Sequence, residues 1–110
     1  MGTDLQSDQF VITAELAAEL QGEVVASGHG KWTNVYFEIQ DDGRGLYMSV
    51  DLPVETADDL LKTYKVELMQ LLGPRLPARI GGRSSWTVGI RYDGRLVDSV
   101  DSLNFPYDAE

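Results

Sequence analysis

At 110 residues, with 43% hydrophobic residues, two Trp, five Tyr and three Phe, the chain has the size and composition of one domain that buries roughly 65% of its unfolded surface. The absence of Cys excludes a disulfide framework and the thiolate ligands of most structural zinc sites, which makes the cytoplasm the simplest address. A formal charge of −9 sets the surface against DNA, RNA and anionic membrane as direct ligands and toward a basic partner.

The opening Met1-Gly2-Thr3-Asp4-Leu5-Gln6-Ser7-Asp8 lacks the basic start and apolar middle of a signal peptide, and Gln6 stands where a myristoylation pattern wants Ser or Thr. No apolar run reaches bilayer length. Residues 1–8 read as a flexible N-terminal tail and residues 9–110 as a single α+β domain.

From Phe10 onward, Ala14, Ala17, Leu20 and Val24 recur at helical spacing with Ile12 and Leu16 beside them, and Ser7 or Asp8 is placed to cap the start. Gly28-His29-Gly30 ends that helix. Residues 31–40 alternate as a half-buried strand, with Val35, Phe37 and Ile39 on one face and Trp32, Tyr36 and Glu38 on the other. Asp41-Asp42-Gly43-Arg44-Gly45 supplies a hairpin turn, and Leu46, Met48, Val50 and Leu52 alternate along the return strand.

After Pro53, Thr56 and Asp59 resemble a capping box, and Ala57, Leu60, Leu61, Tyr64, Leu68, Leu71 and Leu72 predict a helix stopped at Gly73-Pro74. The prolines and paired glycines of residues 75–83 predict a loop. Trp86, Val88, Ile90 and Tyr92 alternate, Asp93-Gly94 is a two-residue hairpin signal, and a last strand follows from Arg95. Its alternation changes parity between Val100 and Leu103, which predicts a bulge near Asp101.

The order helix, hairpin, helix, hairpin predicts a four-stranded antiparallel sheet (α-β-β-α-β-β) with two helices on one face. The halves echo each other: Trp32-Thr33 precedes Asp42-Gly43-Arg44 as Trp86-Thr87 precedes Asp93-Gly94-Arg95. Charge is uneven along this order. Residues 74–95 hold Arg75, Arg79, Arg83, Arg91 and Arg95 with Asp93 as the single acid, leaving +4 there and −13 elsewhere. Pairing of the basic stretch with acids of its own domain accounts for this better than a phosphate site does.

Catalysis is poorly provided for. Nucleophilic chemistry needs a nucleophile beside a base, and the chain has no Cys and one His, His29, set between glycines in a loop. Paired carboxylates occur at Asp41/Asp42, Asp58/Asp59 and Asp98/Asp101, but the first pair suits a turn and the second a helix N-terminus. Gly81-Gly82-Arg83-Ser84-Ser85 precedes a strand and lacks the spacing of a phosphate loop. No catalytic residue, metal site or cofactor is assigned. What remains is surface chemistry: Trp32, Tyr36 and Tyr47 interleaved with acids have the composition of a binding surface.

The Leu-rich helix over residues 57–72, Trp86-Thr87-Val88, Asp93-Gly94-Arg95 and the closing Phe105-Pro106-Tyr107-Asp108 resemble the YezG-like immunity proteins, and Trp32 through Glu38 looks like that family's first strand. These are small acidic antitoxins of bacterial polymorphic and contact-dependent toxin systems. The Arg- and Gly-rich loop over residues 74–85 and Pro106 depart from the pattern. The resemblance implies a non-enzymatic immunity protein, monomer or homodimer, that neutralises a cognate basic toxin, such as a nuclease, by direct binding at its active site or an adjacent exosite. The contact residues it implies are the acidic and aromatic set Asp41, Asp42, Asp98, Asp101, Tyr107 and Asp108, where truncating an aromatic anchor with a paired carboxylate costs roughly 2 kcal/mol or more. A dimeric secretion-type chaperone with an apolar groove and a small-molecule-binding domain with a concave polar pocket are the alternatives.

Overall fold

The computed structural model describes residues 9–103. The expected N-terminal tail and the closing segment with Tyr107 and Asp108 lie outside the described residues. The helix α1 (Ala14–Gly28) starts later than its apolar spacing suggested. Val11, Ile12 and Thr13 are β-branched, which disfavours helix, and Thr13 serves as the cap, its Oγ1 accepting from the Leu16 N–H at 3.1 Å. Ser7 and Asp8 lie outside the described residues. Ahead of α1 the chain is tied to the first hairpin, with the Ile12 N–H donating to the Gly43 carbonyl at 2.7 Å.

The strands β1 (Asn34–Gln40) and β2 (Gly45–Leu52) pair antiparallel, setting Val35, Phe37 and Ile39 opposite Val50, Met48 and Leu46. β1 begins three residues after Lys31 because Trp32 has another task. Its ring lies over Gly28 at the end of α1 and meets Tyr64 edge-on, centroids 5.4 Å apart. Lys31 sits 4.6 Å above the Tyr64 ring and bonds Glu67, so this short segment fastens the two helices together.

The second helix, α2 (Asp58–Leu72), buries Leu61, Leu68, Met69 and Leu72, with Tyr64 and Leu71 partly covered, whereas Leu60 is 46% exposed. The capping box does not form. Ala57 occupies the cap position, and the Thr56 hydroxyl instead donates to the Val54 carbonyl, leaving Asp58 and Asp59 to favour the helix N-terminus by charge. Residues expected as plain loop include a small antiparallel ribbon, β3 (Arg79–Ile80) and β4 (Arg83–Ser84), turned at Gly81 and Gly82 with φ of 62° and 81°. Leu76 and Ile80 anchor it in the core. β5 (Trp86–Tyr92) and β6 (Arg95–Asp101) form the second hairpin around Asp93 and Gly94, both at positive φ.

The sheet order is β1-β2-β5-β6, so the domain is α+β with four main strands. Both hairpins are antiparallel as expected, but the central pair, β2 with β5, is parallel: Leu46, Met48, Val50 and Leu52 lie level with Trp86, Val88, Ile90 and Tyr92. The reason is the connection. A helix of 15 residues rises about 22 Å, which carries the chain back along the sheet, and the segment after it returns to the end where β2 began. Adjacent strands joined by such a crossover run the same way. β5 consequently runs opposite to β1, so the second half is not a shifted copy of the first, and Trp86 opens a strand while Trp32 precedes one. The bulge falls at Val97, where the register steps from Ile90↔Asp98 to Arg91↔Leu96, rather than near Asp101.

The core lies between the helices and one sheet face, with Leu20, Val24, Met48, Val50, Leu72, Trp86, Val88 and Ile90 almost fully buried. Gly28 is fixed by this packing, since a Cβ there would stand 2.7 Å from Trp32 Cδ1. Gly28→Ala should lower stability by about 1–3 kcal/mol in urea unfolding through overpacking, and the loss should largely vanish in a Trp32→Ala background.

Candidate functional site

The hairpin turn holding Asp41 and Asp42 is a tight 3-10 turn, Asp41–Gly43, with both aspartates in the left-handed region at φ 52° and 56°. Asp tolerates that conformation better than most residues, and the buried Gly43, at φ 94°, leaves no room for a Cβ beside Val11 and the Ile12 backbone. The turn therefore projects two exposed carboxylates from the end of the sheet where β2 and β5 begin and β6 finishes.

Asp101, at the close of β6, stands level with Thr87 and lies at this same end. Its Oδ1 accepts from the Leu103 N–H at 2.8 Å. Asp98 does not join them. It sits level with Ile90 on the helix-facing side, 3.0 Å from Lys65 Nζ of α2, and acts as a strut between sheet and helix. Tyr107 and Asp108 lie outside the described residues. Of the six expected contact residues, the structure thus brings Asp41, Asp42 and Asp101 to one end and separates Asp98 from them.

In the arginine-rich stretch, Arg75, Arg83 and Arg91 lie beside acids of the same domain, while Arg79, Arg83 and Arg95 are exposed. Arg75 bridges Glu23 and Glu19 of α1, and the hydrogen bonds it donates to Glu23 and then to Glu19 hold its pKa above the ordinary value. Arg83 lies 3.5 Å from Asp41, and Arg91 lies 3.8 Å from Asp51. Between the Asp41 turn and the glycine ribbon lies an open cleft of about 530 Å³, lined by Asp41, Asp42, Arg44, Arg83 and the side chains of Val11 and Ile80. Its walls carry both signs of charge.

Three serines support this end. Ser102 Oγ donates to the Ala78 carbonyl at 2.6 Å, accepts from the Ser85 N–H at 3.0 Å and lies 2.7 Å from Ser84 Oγ. Ser85 and Ser102 are buried, and the network ties the loop after α2 to the start of β5 and the end of β6. Nothing in the composition singled out Ser102; its partners are remote in sequence.

On the side of the sheet away from the helices, the strand registers set out three rows. Glu38, Tyr47, Thr87 and Asp101 form the first, Tyr36, Ser49, Gly89 and Ser99 the second, and Asn34, Asp51, Arg91 and Leu96 the third. Tyr36 is 56% and Leu96 61% exposed. Gly89 is buried on this open face because the Tyr47 hydroxyl and Leu96 Cδ1 lie over it, which explains a glycine in the middle of a strand. Sequence alternation placed Tyr36 and Tyr47 here correctly but also placed Trp32, which packs against the helices; it missed Leu96, whose face is set by the bulge.

Among the described residues no group of three or more His, Cys, Asp or Glu side chains is arranged to hold a metal, and no helix is long and apolar enough to cross a membrane. His29 is an exposed helix cap in the left-handed conformation. Comparisons with protein-family models, curated proteins and solved structures gave no match.

Ser102→Ala should cost about 1 kcal/mol in chemical denaturation, because it removes the bonds of the hydroxyl to the Ser85 N–H and the Ala78 carbonyl and leaves those two groups only their 3.2 Å bond to each other. A cost within the noise of the measurement would mean that solvent replaces the hydroxyl.

Proposed function

We propose that this chain is an immunity protein that binds a basic toxin domain in the cytoplasm and neutralises it by covering its active site or a neighbouring surface. The observation that carries the reading is the placement of Asp41 and Asp42, held outward on a tight turn with Asp101 at the same end of the sheet, in a chain of net charge −9. Enzymes that act on polyanions carry basic surfaces, and an acidic inhibitor meets such a surface by steered, salt-sensitive association. The likeness of the second-half motifs to the YezG-like pattern supports the same reading. Pairing of Arg75 with Glu19 and Glu23 and of Arg91 with Asp51 supports it further, because it keeps those two cations away from the Asp41–Asp42 turn.

The test is capture of the product of the adjacent gene, using the purified domain as bait at low and high salt. Tight capture that weakens with salt is expected, and capture at neither salt overturns the proposal. In the same complex, replacing Asp41 and Asp42 together with Asn should slow association roughly three- to tenfold in surface plasmon resonance while changing dissociation little, since rim charges act mainly on encounter.

A further inference from the structure

Resting on the reading of the chain as an acidic protein-binding module, the geometry points to the open face of the sheet as its docking surface, with an arginine-bearing protein surface as the occupant. The face has an aromatic and aliphatic centre in Tyr36, Tyr47 and Leu96, and none of the helices covers it among the described residues. That centre is pre-shaped. Tyr47 and Leu96 converge over Gly89, where the missing side chain lets them lie down against the sheet instead of standing apart. Both therefore enter an encounter with part of their conformational freedom already lost, which is the property that makes an interface anchor effective.

Charge chooses the occupant. Glu38 and Asp101 close the two ends of the row that holds Tyr47, and the one cation among the three rows, Arg91, already lies beside Asp51. A second copy of the chain would bring the same carboxylates against these, in a molecule of net charge −9, and nucleic acid or an anionic bilayer would be repelled. A guanidinium, by contrast, stacks flat on Tyr36 or Tyr47 while its N–H groups reach Glu38, level with Tyr47 on the neighbouring strand, combining cation–π and charge-assisted contacts. Lysine fits less well because its compact ammonium lacks a face to stack.

The test is an isotope-labelled NMR titration of the full chain with a synthetic Arg-Gly repeat peptide and its Lys-Gly counterpart, at near-physiological salt and then at low salt. The amide signals of Tyr36, Tyr47, Gly89 and Leu96 should move first, with the arginine peptide binding more tightly than the lysine one. The paired substitution Tyr36→Ala and Leu96→Ser, both at exposed positions, should weaken the arginine peptide about fivefold with the thermal midpoint little changed, whereas Asp41→Asn with Asp42→Asn should weaken it less than about twofold. Shifts confined to the Asp41–Asp42 turn, with binding intact in the Tyr36 and Leu96 variant, would overturn the docking surface and leave the acidic-inhibitor reading standing. Signals that move on dilution but not with peptide would overturn the cationic occupant in favour of a second copy. No response to either peptide even at low salt would overturn both the surface and the reading beneath it.

Discussion

The parallel pairing of β2 with β5 is the constraint on which the rest of the structure depends. It joins the two hairpins into one sheet and places Leu46, Met48 and Val50 level with Trp86, Val88 and Ile90, all of them buried. These six side chains form the floor onto which both helices pack. Without this pairing each hairpin would be a two-stranded ribbon with one greasy face, which is marginal in water. The crossover through α2 is what makes the pairing parallel, and the serine network at Ser84, Ser85 and Ser102 fixes where the returning chain re-enters the sheet.

The same pairing creates the two surfaces on which the proposed binding rests. Because β2 and β5 start at the same end, the Asp41–Gly43 turn, the glycine ribbon and the end of β6 gather there, although they are distant in sequence. Because the helices take one face, the other is left to Tyr36, Tyr47 and Leu96. Electrostatics then sorts the charges: Arg75 pairs with Glu19 and Glu23 of α1, and Arg83 and Arg91 lie beside Asp41 and Asp51 of the first hairpin. An acidic end would hasten encounter while an aromatic face would hold the complex, a division of labour between rate of association and residence time.

Several features were legible because they are local. The stripe through Leu61, Leu68 and Leu72 announced α2, the alternation of Leu46, Met48, Val50 and Leu52 announced β2, and Asp93-Gly94 announced its hairpin. Each of these signals needs only neighbours a few residues away. The misplacements have equally specific causes. Thr13 caps α1 because the β-branched residues beside it resist helix, and Trp32 left its strand because the side-chain-free Gly28 offered its ring a seat against α1 and α2. Leu96 escaped notice because a bulge at Val97 changes which face it takes, and a bulge is decided by how two strands fit rather than by either alone.

The sequence by itself determined the class of the domain, the order of its helices and hairpins, its acidity and the faces of β1 and β2, since propensity, periodicity and charge are properties of short stretches of chain. Only the tertiary structure decided that the sheet is parallel at its centre, that Asp98 is a strut to Lys65 while Asp41, Asp42 and Asp101 share an end, and that Ser102 and Gly89 are positions of consequence. Those outcomes turn on contacts between residues far apart in the chain, and such contacts exist only once the crossover has chosen which strand lies beside which.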